Sequence, residues 1–166
     1  MKDKCRKKSN VERIMQMAKM TEIKLKDYSP KVLEQMEEQV LLGLELIGQE
    51  AEGNAKGECP VDTGLLRNSI AHALAGEQPS TKTYKADKPD KNGVVRSGTY
   101  TGKTPKKQGE HSVYIGSNVE YAVDVEFNAT KKHDTGKAHF LKDAATTHTD
   151  QYKEIMKLAL KGKTSI

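Results

Sequence analysis

Asp62-Thr63-Gly64 is the most suggestive group of residues in this chain. In such a triplet a carboxylate can share a proton with a second carboxylate and activate water for peptide hydrolysis. That chemistry needs an apolar strand before the triplet, a small residue after it, and a second triplet or a homodimer. Here Cys59-Pro60-Val61 precedes it and Leu65-Leu66 follows. The triplet therefore reads as a turn, with Asp62 accepting backbone N–H bonds, Thr63 assisting and Gly64 supplying an unusual backbone angle. His133, Asp134 and His139 are near enough in sequence to offer metal ligands, but they lack a defined ligand spacing and read as loop residues. His148 reads as the edge of a helix face. Cys5 and Cys59 stand 54 positions apart, which gives no metal or redox spacing, and both read as thiols. No glycine-rich phosphate cradle occurs, and Ser69 and Ser112 lack a nucleophile-elbow pattern. Together these residues predict a protein that is not an enzyme and needs neither cofactor nor metal.

Charge offers a second kind of chemistry. Lys82, Lys85, Lys88, Lys91, Arg96, Lys103, Lys106 and Lys107 place eight cations in the segment 77–110, against four acids. They are candidates for facing a partner or DNA. Only four of the 28 basic residues are Arg, and the chain has no Trp and two Phe, so bidentate base readout and base stacking are weakly signalled. The remaining charge is blocky. Residues 1–8 hold five basic and one acidic side chain, 31–58 two and seven, 111–130 none and three, and 131–166 eight and four. Alternating blocks of this kind suit self-association or a partner of opposite sign.

Several elements must position these groups. Ser29-Pro30 opens a helix, Ser as cap and Pro at the first position. Leu33, Met36, Val40, Leu44, Ile47, Ala51 and Ala55 then recur at steps of three or four, and Gly53, Gly57 and Cys59-Pro60 end the run. Gly43 and Gly48 inside it would allow close approach of another backbone. Residues 10–26 predict a shorter helix, so 1–28 form a basic, partly helical extension. Residues 65–75 read as a strand, although their Leu and Ala leave helix open; 112–116 read as a short strand, and 119–127 as a strand or turn-plus-strand. A second good helix is predicted over 139–161, with Leu141, Ala144, Ala145, His148, Tyr152, Ile155, Met156 and Ala159 on one face. The segment 77–110, rich in Pro, Gly and Lys, reads as a long loop or extended arm that orders on a partner, with GVVRSGTY (93–100) able to form a strand.

The 166 residues suffice for one compact domain, here expected over 29–166. No apolar run nears the roughly 18 residues of a membrane span, and the basic start has no apolar stretch behind it, so neither a membrane partner nor a secretory signal is expected. The expected class is α+β: a long helix and a C-terminal helix on a small, mainly antiparallel sheet, with the extended loop or arm.

Three spaced segments, CPVDTGLLRNSI (59–70), VYIGSNVEYAVDVEFNAT (113–130) and AHFLKDAATTHTDQY (138–152), follow the long helix in that order. In this the chain resembles the Hong Kong 97-type phage minor tail-component family, the gene-product-ten-like neck or tail-completion proteins of long-tailed phages. The resemblance spans about residues 30–160. Asp62, Thr63, Gly64, Leu66, Arg67, Ser69 and Ile70 stand in its first motif. Gly116, Tyr121, Ala122, Val125, Glu126 and Phe127 stand in its second, and Phe140, Leu141 and Ala144 or Ala145 in its third. Asn128-Ala129 replaces the family's Gly-Thr, and His139 its Pro.

The resemblance implies a structural virion protein, assembled in the host cytoplasm and placed at the neck, where it completes the tail and joins it to the DNA-filled head. It implies a ring of copies, six-fold, in contact with stopper or connector, tail terminator and tail tube, with genomic DNA passing through the lumen. Solvated Lys103, Lys106 and Lys107 would suit DNA that slides. Arg67 is expected to pair with Glu120 or Glu126 across the sheet. The alternatives are a tail terminator ring, a nucleic-acid-binding accessory protein and, more remotely, the Asp62 protease.

Overall fold

The computed structural model describes residues 28–107, 110–128, 130 and 135–162. The helix expected over 10–26, Cys5, His133 and Asp134 lie outside the described residues. The chain divides into two units between residues 33 and 34, and of the first only residues 28–33 are among those described. The second contains the elements that matter here, and the class is α+β.

Helix α1 spans Ser29–Glu58, beginning at the Ser-Pro pair. Its buried face is made of Gly43, Gly48, Ala51 and Ala55, with Val40, Leu44 and Ile47 half-buried beside them. The expected stripe therefore holds from Val40 onward, whereas Leu33 and Met36 are exposed. Small residues dominate the face because other elements press on it. A Cβ at Gly43 would stand 2.7 Å from Met156 Sδ, and one at Gly48 would stand 2.6 Å from the His72 ring and 2.8 Å from Val113 Cγ2. Gly53 and Gly57 do not end the helix. A glycine lowers helix propensity by about 1 kcal/mol, and the buried neighbours Ala51 and Ala55 outweigh that. Pro60, which has no N–H to donate, ends it after Cys59 N–H has closed the last turn on the Ala55 carbonyl at 2.9 Å.

Residues 65–75 are not one strand. Leu65–Asn68 form a single helical turn, α2, and strand β1 (Ala71–Leu74) follows. The helical turn sends two adjacent leucines to different places. Leu66 joins a core with Ala55, Cys59, Ile70, Ala122, Phe140 and Ala144, while Leu65 joins a smaller cluster with Tyr84 and Ala86. A strand would also point neighbours to opposite faces, but it could not turn the chain at Ser69, whose N–H bonds the Leu65 carbonyl at 3.0 Å and whose hydroxyl donates to the Leu66 carbonyl at 2.6 Å.

Strand β1 pairs antiparallel with β4 (Val113–Gly116), Ala71 opposite Gly116 and Leu74 opposite Val113. The long basic segment is thus an insertion between the two strands of one antiparallel pair. It carries its own antiparallel pair, β2 (Thr83–Lys85) with β3 (Ser97–Thr99), and β3 falls within the GVVRSGTY run. The segment does not depend on a partner for all of its buried area. Tyr84 and Ala86 are buried with Leu65, and the Tyr84 and Tyr100 rings meet edge to face at 5.6 Å.

Residues 119–127 hold a helix, α3 (Ala122–Phe127), instead of the expected strand. The alternation of Val119, Tyr121, Val123, Val125 and Phe127 suggests a strand, but the buried positions are Ala122 and Glu126, four apart. A strand would put Asp124 on the same face as Ala122 and Glu126, whereas a helix buries those two, one turn apart, and leaves Asp124 exposed. The C-terminal helix is two helices, α4 (Phe140–Thr147) and α5 (Thr149–Leu160), broken at His148. Its inward positions agree with the expected face except Ala145, which is exposed, and Phe140, which is fully buried although the expected face does not include it.

The segment after the undescribed 131–134 lies against the end of α1, where Lys137 N–H donates to the Glu58 carbonyl at 3.0 Å. Gly136 has φ +73°, and a Cβ there would stand 2.5 Å from Pro60 N and 2.6 Å from the Glu58 carbonyl oxygen. Both neighbours are backbone and cannot swing aside. Gly136→Ala should lower stability by about 2–3 kcal/mol, read as a shifted urea midpoint. A midpoint within error of the parent would refute the contact.

Candidate functional site

The Asp62-Thr63-Gly64 turn latches the basic insertion to the body. The Thr63 carbonyl accepts the N–H groups of Asp87 (2.8 Å) and Lys88 (3.1 Å). Gly64, at φ +83°, starts α2 with nothing on its Cα, and a Cβ would fall 2.1 Å from the Asp87 carboxylate. That carboxylate accepts from Arg67 Nη2 at 2.6 Å and Asn68 Nδ2 at 2.8 Å, and Asn68 also donates to the Lys85 carbonyl at 2.8 Å. The Asn68 and Arg67 bonds hold the Asp87 carboxyl below its usual range. Arg67 therefore pairs with Asp87, and the expected pairing with Glu120 or Glu126 is wrong. The pair is exposed, and solvent screens it. Arg67→Ala should loosen the insertion, seen as faster amide exchange over 83–88, while leaving the unfolding midpoint nearly unchanged. Asp62 is exposed, and the turn's backbone bonds are made by Thr63. Among the described residues Asp62 has no hydrogen bond to a second carboxylate, so the shared-proton arrangement of a peptidase is absent from them.

A cleft of about 990 Å³ opens beside this turn, between the tip of the insertion and residues 118–121. Leu65, Tyr84 and Val119 form its floor. Asp62, Asp90 and Glu120 bring carboxylates to its wall, and Lys91 and Arg96 bring cations. The tip is stiffened by Asp90, which accepts from the N–H groups of Asn92 (2.8 Å) and Val94 (3.1 Å) and from Arg96 Nε (2.9 Å). These bonds, the Val94 one first, lower the Asp90 pKa. The mixture of signs suits a polar macromolecular contact better than capture of one ion.

The remaining motif residues are framework. Glu126, 5% exposed, receives the N–H of Leu141 and of Lys142, each at 3.0 Å, on its two carboxylate oxygens, and its carbonyl accepts His139 N–H at 3.0 Å. It thereby caps α4, where His139 itself holds a left-handed φ of +62°. Phe140 is fully buried, Leu141 packs beside the same core, and Tyr121 lines the cleft. Burial of the Cys59 thiol in that core raises its pKa to about 12, the value of an inert thiol. All eight cations of the insertion are exposed, and Arg96 alone of them forms an ion pair with a described residue, Asp90.

One cluster escaped the reading of motifs. His72 on β1 is 5% exposed and lies between two carboxylates of α1, its Nδ1 2.5 Å from Glu52 and its Nε2 3.1 Å from Glu45. Its N–H also reaches Glu52 at 3.1 Å, and Lys56 pairs with Glu52 from the next turn. Glu45 and Glu52, seven apart on one helix face, were the available signal. The Glu52 bond, against burial, raises the His72 pKa above 6.5. Burial pushes Glu52 upward, but bonds from His72 and Lys56 prevail and bring it down to about 2. A raised histidine stabilises the fold below its unfolded pKa and loses that contribution as pH climbs through the folded value. A lowered carboxylate contributes above its unfolded pKa, near 4.5, and loses it as pH falls toward 2. Thermal stability should therefore peak between about pH 5 and 6.5 and decline on both sides. His72→Gln should flatten the alkaline limb; an unchanged limb would show that His72 is not its source.

Among the described residues no helix is long and apolar enough to cross a membrane, and no three His, Cys, Asp or Glu side chains converge as a metal site. No protein-family model, curated protein or solved structure matches the chain.

Proposed function

We propose that the chain is a structural component of a phage neck, one subunit of a ring that completes the tail and joins it to the head. The observation that carries the reading is that the three segments of the resemblance meet in one core. Cys59, Leu66 and Ile70 come from the first, Ile115, Val119, Ala122 and Val125 from the second, and Phe140, Leu141 and Ala144 from the third. Glu126 of the second segment also caps the helix that carries the third. The motifs thus behave as one framework, and that framework leaves its loops and surfaces free for assembly. Its work is fitting, with ring contacts of the head-to-tail kind.

The test is the mass of the purified chain alone and mixed with the proteins encoded beside it. A closed, six-fold species with a neighbour supports the reading, as does its presence in purified particles. A chain that joins no neighbouring protein and is missing from particles overturns it. A tail terminator ring would instead cap isolated tail tubes. The exposed cations of the insertion favour a second contact, with DNA in the lumen. It predicts DNA affinity that falls steeply with salt and weakens when Lys103, Lys106 and Lys107 become Gln.

A further inference from the structure

Helix α3 turns Ala122 and Glu126 inward and leaves Val123 and Phe127, one turn apart, 66% and 71% exposed. Phe127 is one of only two phenylalanines in the chain. The two side chains border a shallow cavity of about 620 Å³ that Glu120 and Asp124 also line. Of the three acids in 111–130, a segment without Lys or Arg, Glu126 is buried under α4, so Glu120 and Asp124 are the carboxylates at this border. Elsewhere, the tip of the insertion shows Val94 and Val95, 54% and 43% exposed, between the exposed cations Lys91 and Arg96. One surface is apolar with an acidic border, and the other is apolar with a basic one. Neither valine of the tip lines the cleft that separates the tip from residues 118–121, and neither do Val123 and Phe127. At 66% and 71% exposure, Val123 and Phe127 are not covered by the tip of their own chain.

We infer that the Val123–Phe127 face receives the Lys91–Arg96 tip of a second copy, head to tail. This rests on the ring reading above and assigns its contact. The apolar pairs supply burial, and the opposite borders set register and exclude tip-to-tip and face-to-face pairing. The Asp90 bonds hold the tip in one shape before docking, which reduces the ordering lost on association. Because each copy keeps one tip and one face, the contact repeats, and it forms a ring where the rotation between copies closes.

Sedimentation of the purified full chain tests this with two variants, Phe127→Asp (face lost) and Val94→Asp/Val95→Asp (tip lost). All three positions are exposed, so both variants should unfold at the parent temperature. The parent should form species larger than a dimer, and each variant alone should be a monomer. An equimolar mixture of the two variants should form dimers and nothing larger, since one intact tip and one intact face remain between them. A parent that stays monomeric at high concentration, a variant that still assembles, or a mixture that stays monomeric overturns the contact. These samples hold no other virion protein, so incorporation into particles judges the neck reading separately. An α3 face reserved for a different protein would appear as a monomeric parent whose Phe127→Asp form fails to enter particles.

Discussion

Phe140→Ala should lower stability by about 3–5 kcal/mol, the range for emptying a well-packed aromatic site. Phe140 is fully buried and the largest such side chain among the described residues. It touches the core where α1, α2, α3 and α4 meet, so the hole it leaves is walled by four elements that cannot all close on it. A domain holds only about 5–15 kcal/mol in total, so this loss removes a large part of it. Phe140→Leu, which keeps most of the volume, should cost about 1–2 kcal/mol. Urea unfolding followed by circular dichroism measures both. A Phe140→Ala midpoint close to the parent's would mean that the three motif segments do not share a core, and the functional reading would lose its support.

Removing the Glu126 carboxylate should come second, at about 3 kcal/mol for Glu126→Ala. Two N–H groups, of Leu141 and Lys142, lose their acceptor at the start of α4, and each unsatisfied buried donor costs about 1–3 kcal/mol. The negative charge at a helix N-terminus is lost as well. Glu126→Gln retains one acceptor oxygen but turns an NH2 toward an N–H, so it should recover about half of the loss. Amide exchange at 141 and 142 should quicken in both variants, in the order Ala above Gln. Unaltered exchange at those two amides would exclude the cap. The effect should not simply add to that of Phe140→Ala, because the cap and the ring hold the same first turn of α4.

How much of this was legible in the residues differs by element. The start of α1, within one residue of the position expected from Ser29-Pro30, the strand at 113–116 and most of the inward face of 139–161 follow from local signals. The class, α+β with antiparallel pairs, follows from those elements. The run 119–127 misled because its alternate apolar residues fit a strand, and the deciding residue was polar: Glu126 goes inside to serve a helix fourteen residues further on. The run 65–75 misled because Leu65 and Leu66 belong to different clusters, a split no single periodicity expresses. Arg67 was recognised as a motif residue, but its partner Asp87 lies in the insertion, outside the aligned segments.

By itself the sequence determined where backbone freedom and apolar periodicity change: the helix opening at Ser29, the stop at Pro60, and a polar insertion too long to be a plain connection. Only the tertiary structure decided which charges pair, which turn becomes a latch, and which apolar residues stay outside. Those outcomes depend on contacts between residues far apart in the chain, such as His72 with Glu52, Asp87 with Arg67 and Glu126 with Leu141. Local propensity differs by tenths of a kcal/mol between helix and strand for most residues. A buried carboxylate that needs two donors outweighs it several-fold.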